Sequence, residues 1–155
     1  MANIVSKYFM GETTPTGFKT SFDKQIYSDD FYTYILKGGP GTGKSSFMKK
    51  IALNFSDVDD LDLYYCSSDP FSLDAVVLKK AKVVIVDGTA PHVFDAKYPG
   101  ILQSIINLGE CWNKEQLVKN KYEIKQITDE CSNWHTRFKR YISAFASLNS
   151  DIYTI

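Results

Sequence analysis

The sequence predicts an α/β fold, a parallel sheet carrying a glycine-rich loop, followed by a long helical arm. Three observations predict it. An aromatic and β-branched run, FYTYILK (31–37), meets glycines and then GKSSFMKKIALNF (43–55), in which Phe47, Met48, Ile51, Ala52 and Phe55 recur at helical spacing. A second run, KVVIVDG (82–88), is continuously apolar, the pattern of a strand buried on both faces, and stops at Asp87 and Gly88. Farther on, Ile124, Ile127, Cys131, Trp134, Phe138, Tyr141, Phe145 and Leu148 are spaced alternately by three and four, an a/d seam.

The elements follow in order. TPTGF (14–18) reads as a turn, because Pro presets φ and Gly permits positive φ, and FKTSF (18–22) as a short edge strand. Residues 31–37 are the first core strand, and 43–55 a helix with Lys49 and Lys50 on its polar face. LDLYYCSS (61–68) is the second strand; Ser72 then caps a short helix over LDAVVL, and 82–88 is the third strand. YPGILQSIINLGE (98–110) reads as one helix and Lys114 to Asn149 as another, about 50 Å long at 1.5 Å per residue. Its seam suits packing on its own protein, or self-association or a protein partner through the 114–149 helix. Only three core strands precede the helical part, where a parallel sheet of this kind usually has five or more. The sheet is therefore expected to be incomplete and the chain to be the N-terminal part of a longer protein.

Bulk properties exclude several classes. At 155 residues the length suits one domain. Eighteen basic and 18 acidic residues cancel, so there is no electrostatic footprint for nucleic acid. The N-terminus lacks the apolar stretch of a signal peptide, and no apolar run approaches the roughly 18 residues of a membrane helix. Cys66, Cys111 and Cys131 are odd in number and widely spaced, which argues against a disulfide framework or a zinc site and for buried reduced thiols in a cytoplasmic setting.

The glycines carry the chemistry. Gly38 to Ser45, GGPGTGKS, satisfies G-x-x-x-x-G-K-[ST] between a strand and a helix, as the P-loop requires. Glycines let the backbone curl so that successive N–H groups point inward around a phosphate, and the helix start adds its own free amides. Gly39, Pro40, Gly41, Thr42, Gly43, Lys44, Ser45 and Ser46 are the candidate nucleotide-binding residues. Lys44 would reach the β and γ phosphates and Ser45 would ligate Mg²⁺; Pro40 stiffens the loop. Asp87, at the end of a buried strand, is the second candidate magnesium residue. With no NKxD motif to specify guanine, ATP is the expected nucleotide.

A general base is harder to find. Many ATPases of this class place Glu after the strand-ending Asp, and here the next residue is Gly88. Asp69 and His92 are the candidates, each set against an ordinary loop role, with Thr89 behind them. His135 lies four residues from Cys131 on one helix face, half of a metal site with no further ligands in view.

The segments ILKGGPGTGKSSFMKKIA, CSSDP with SLD, VDGTAPHVFDAKYPG and IINLGE together resemble an uncharacterised bacterial family of predicted P-loop ATPases, over roughly residues 8–112. The resemblance implies tandem P-loop halves, of which this chain is similar to the first. It implies nucleotide and magnesium roles for Lys44, Ser45 and Asp87, and it places Ser67, Ser68, Asp69 and His92 in family motifs. The resulting division is a nucleotide-binding core over 1–100 and a helical arm or lid over 101–155. Three functions stay open: ATP hydrolysis coupled to a conformational change, small-molecule or nucleotide phosphorylation, and a non-hydrolysing nucleotide switch. The only arginines, Arg137 and Arg140, lie far along the arm and count against a kinase.

Overall fold

The computed structural model describes residues 3–90 and 93–153. Two compact units emerge: the chain up to Glu12 with Thr20–Cys111, and Thr13–Lys19 with the chain from Trp112 onward. The first unit thus continues past residue 100, through a strand that pattern reading assigned to a helix.

The first unit is built on a six-stranded sheet. Its strands are β1 (Val5–Phe9), β4 (Tyr32–Lys37), β5 (Leu61–Tyr65), β6 (Leu73–Leu78), β7 (Val83–Asp87) and β8 (Gln103–Asn107), in the spatial order β1-β5-β6-β7-β4-β8. β1 runs parallel to β5, and β4 runs parallel to both neighbours, β7 and β8. β6 alone is antiparallel. The sheet is therefore mostly parallel, as expected, but it has six strands where three were read.

Two of the extra strands overturn helix predictions. LDAVVL is β6, buried at every position. Six residues, five of them apolar, cannot reveal their period, and pairing on both sides with β5 and β7 makes them a strand. The Asp59 carboxylate accepts Lys80 N–H at 2.7 Å and Ala81 N–H at 2.9 Å, which fixes the turn into β7. The predicted helix over 98–110 is instead a turn, β8, and a 3-10 turn over Leu108–Cys111. Pro99 and Gly100, the latter at φ 79°, break any helix there, and the fully buried Gln103 accepts Tyr98 N–H through Oε1 at 2.8 Å. β1 went unread because it is an exposed edge strand without apolar alternation.

Helix α1 (Asp23–Ile26) and helix α2 (Lys44–Phe55) belong to the same unit. Met48 and Ala52 of α2 pack onto Leu36, Leu61, Leu63, Val76, Leu78 and Ile85, the main core. On the opposite face the Phe22 ring lies 4.4 Å from that of Tyr64, and the Thr33 hydroxyl donates to Ile26 C=O at 3.0 Å.

The second unit contains a hairpin of β2 (Glu12–Thr14, from Thr13 onward) and β3 (Gly17–Lys19), turning where TPTG predicts, and two helices, α3 (Lys114–Lys119) and α4 (Lys121–Tyr153). The strand expected over 18–22 is thus shifted to Gly17–Lys19, and Phe22 is buried beyond it. The single helix expected from 114 to 149 is interrupted at Asn120, whose φ of −98° and ψ of 14° close α3. Ile124, Ile127, Trp134, Phe138, Tyr141, Phe145 and Leu148 all lie on α4 and are exposed. Of the cysteines expected to be buried, Cys66 is half-buried, whereas Cys111 and Cys131 are exposed. No helix among the described residues is long and apolar enough to cross a membrane.

Candidate active site

Parallel strands put their carboxyl ends at one sheet edge, where residues distant in sequence converge. The glycine loop leaves β4 at Lys37 and enters α2 at Lys44. Gly43 holds the helix N-cap at φ 85° and ψ 15°, in the left-handed region, and no side chain caps the helix start. The first amides of α2 therefore stay available. Thr42 closes the inner turn, its hydroxyl donating to Gly39 C=O at 2.9 Å. Pro40, Gly41 and Ser46 are exposed around the loop.

Lys44 is buried, with an ammonium turned back onto the loop. It donates to Gly38 C=O at 2.7 Å and to Gly39 C=O at 3.0 Å. Asp87 Oδ2 lies 3.7 Å from the same ammonium. The pairing of Leu36 with Asp87 across β4 and β7 produces this proximity, so the two residues predicted from separate motifs meet. Asp87 Oδ1 accepts both Thr89 N–H, at 2.9 Å, and the Thr89 hydroxyl, at 2.6 Å, which leaves Oδ2 as the oxygen facing the lysine. Ser45 Oγ accepts Leu73 N–H at 3.0 Å and ties the start of α2 to the start of β6.

The other candidates are placed less centrally. Asp69 accepts Ser72 O–H at 2.5 Å and Phe71 N–H at 3.1 Å within its own turn, and the bond from Ser72, then that from Phe71, holds its carboxyl below the usual carboxylate range. Ser67 and Ser68 are exposed beside it. His92 lies outside the described residues. Cys131 is exposed on α4, where His135 also lies, and the described residues contain no group of three or more His, Cys, Asp or Glu that could hold a metal ion. Magnesium needs no such cage: it binds through one or two protein oxygens, with phosphate and water completing its shell. The Ser45 hydroxyl and the Asp87 carboxylate fit that donor set.

Pattern reading gave no structural role to two residues of the site, Lys37 and Gly88. A Cβ on Gly88 would run into Ile35 Cγ2 and stand 3.1 Å from Phe94 C=O and 3.3 Å from Lys37 Cε. The position where many ATPases carry glutamate thus has no room for a side chain. The Lys37 ammonium donates to Gly88 C=O at 2.8 Å, to Phe94 C=O at 2.7 Å and to Asp95 Oδ1 at 2.7 Å. It latches the segment after Asp87 to the strand that feeds the glycine loop. The only available signal was a lysine directly before the glycines.

Comparison with protein-family models, with curated proteins and with solved structures returned no match.

Proposed function

We propose that this chain is an ATP-binding P-loop NTPase domain, cytoplasmic, that hydrolyses ATP with Mg²⁺ and couples hydrolysis to a conformational change. The observation that carries the reading is the convergence of Lys44 and Asp87, 3.7 Å apart, at the mouth of a glycine loop that opens a helix. In this reading the Lys44 ammonium exchanges the carbonyls of Gly38 and Gly39 for phosphate oxygens. The loop amides and the α2 N-terminus neutralise the charge that grows in the transition state. Ser45 and Asp87 would hold magnesium, which when bound supplies the remaining charge neutralisation. The resemblance noted above agrees with this assignment, and the α4 seam would receive the partner or second copy that reads the nucleotide state.

A second reading has one observation in its favour. The packing around Gly88 excludes a glutamate next to Asp87, so a switch that binds nucleotide without appreciable turnover is the alternative. Phosphate release from Mg-ATP by the purified chain decides between them. The first reading expects turnover that falls by about 10²–10³ in Lys44→Ala, the scale for loss of one preorganised charge-stabilising donor. ATP binding without phosphate release selects the switch, and absence of ATP binding refutes both.

A further inference from the structure

A cleft of about 550 Å³ opens on the α2 face of the sheet, at the carboxyl ends of β1 and β5, and shares no lining residue with the glycine loop. Its walls are Lys7, Tyr8 and Phe9 of β1, Tyr65 of β5, Lys49 of α2, and Pro70 and Phe71 of the turn that precedes β6. In the parallel pairing Lys7 stands beside Leu63 and Phe9 beside Tyr65, so the side chains of Lys7, Phe9 and Tyr65 share one face.

Three features give the cleft its chemistry. First, it is cationic. Among the described residues Lys7 and Lys49 form no ion pair, whereas Lys37, Lys44, Lys79 and Lys80 all do. No acidic residue lines the cleft among the described residues; the Asp69 carboxylate, bonded to Ser72 and Phe71 in the adjoining turn, offsets part of the Lys49 charge and leaves that of Lys7 unopposed. Second, it presents aromatic rings to solvent: Phe71 is 81% exposed and Phe9 64%. Third, the rim is preorganised. Cys66 N–H donates to Ser72 C=O at 3.0 Å, Ser72 N–H to Asp69 C=O at 2.9 Å, and Phe71 N–H to Asp69 Oδ1 at 3.1 Å. A turn bonded at each of these points fixes the backbone that carries Phe71, which lowers the ordering cost of binding there.

We propose that this cleft binds a small organic anion with a flat apolar body, a phosphorylated or carboxylated aromatic compound. Lys7 and Lys49 take the anionic group, and Phe71, Phe9 and Tyr65 take the ring. The volume lies within the range of small-ligand sites, and the combination of a few charged groups with aromatic walls is what such sites use. Two lysines set about a cleft accept a single anion as paired point charges, without the planar fit an arginine imposes.

The test is calorimetric titration of the chain with 1-naphthyl phosphate, repeated with 1-naphthoate to separate phosphate from carboxylate. Saturable binding of either, weakened about tenfold or more by Phe71→Ala and by the double change Lys7→Met with Lys49→Met, is the expected result. The double change to arginine should retain it. Phe71, Lys7 and Lys49 are exposed, so thermal melts of these variants should match the parent and separate lost binding from lost folding. Lys44→Ala keeps the affinity for the aromatic anion and weakens that for ATP, which distinguishes this site from the glycine loop. No binding of either probe, equal affinity in the Phe71→Ala and methionine variants, or loss of probe binding in Lys44→Ala overturns the proposal.

Discussion

The sheet unit and the α4 helix use similar apolar residues to opposite ends. In the sheet unit, Met48, Val76 and Leu36 are fully buried at the contact of α2 with the strands. On α4, Trp134, Phe138 and Phe145 recur with equal regularity yet are 63%, 52% and 69% exposed. Periodicity states which residues share a face. It does not state what that face meets. Burial, and with it the hydrophobic stabilisation, belongs to the pair of surfaces and not to the pattern on one of them.

The largest test of this contrast is a matched pair of truncations. Met48→Ala should cost about 2–5 kcal/mol in denaturant unfolding, because it removes packed atoms and leaves a cavity. Phe138→Ala should stay within about 0.5 kcal/mol, as for an exposed site. If the two cost the same, the contrast fails, and α4 has a partner in solution. A dependence of the Phe138→Ala result on protein concentration would identify that partner as a second copy.

Next in size is Gly88→Ala, which sharpens the contrast inside the sheet unit. The added methyl meets Ile35 Cγ2 and approaches Phe94 C=O at a buried position, so a loss of about 1–3 kcal/mol is expected. Combining it with Ile35→Ala should recover part of that loss, a coupling that urea unfolding of the single and double variants measures. Additive costs would mean that the clash is relieved elsewhere.

The smallest effect concerns the thiols, one in the sheet unit, one at its end and one on α4. Burial is the main cause that pushes the Cys66 thiol above its ordinary pKa; the nearby Asp74 charge adds to it, while hydrogen bonds from the Ser68 and Asp69 backbone oppose it. A raised pKa leaves less thiolate at any given pH below it, so Cys66 should react with a disulfide reagent more slowly than the exposed Cys111 and Cys131. Raising the pH should narrow the gap as Cys66 ionises. Equal rates at neutral pH would show that the Cys66 turn opens readily.

How legible the molecule was depends on the range of the interactions involved. The loop from Gly38 to Ser45, the helix behind it and the strand ending at Asp87 could all be read, because each rests on local rules: backbone freedom at glycine, helical spacing, a continuous apolar run. LDAVVL could not, since its six residues satisfy either element and its partners lie on β5 and β7. The stretch Gln103–Asn107 misled for the same reason. At the candidate site, Lys44, Ser45 and Asp87 were found by motif, whereas the roles of Lys37 and Gly88 rest on their contact with each other, some fifty residues apart in the chain.

By itself, then, the sequence determined the glycine turn, the helix that follows it, the apolar strands on either side and the seam of α4, because these follow from the conformational preferences and spacing of neighbouring residues. Only the tertiary structure decided that β6 runs antiparallel in the middle of the sheet, that the cleft of Lys7, Lys49 and Phe71 exists, and that Lys44 and Asp87 lie 3.7 Å apart. Strand pairing and side-chain convergence are non-local: hydrogen bonds and packing between segments set them, and no local pattern encodes which segments will meet.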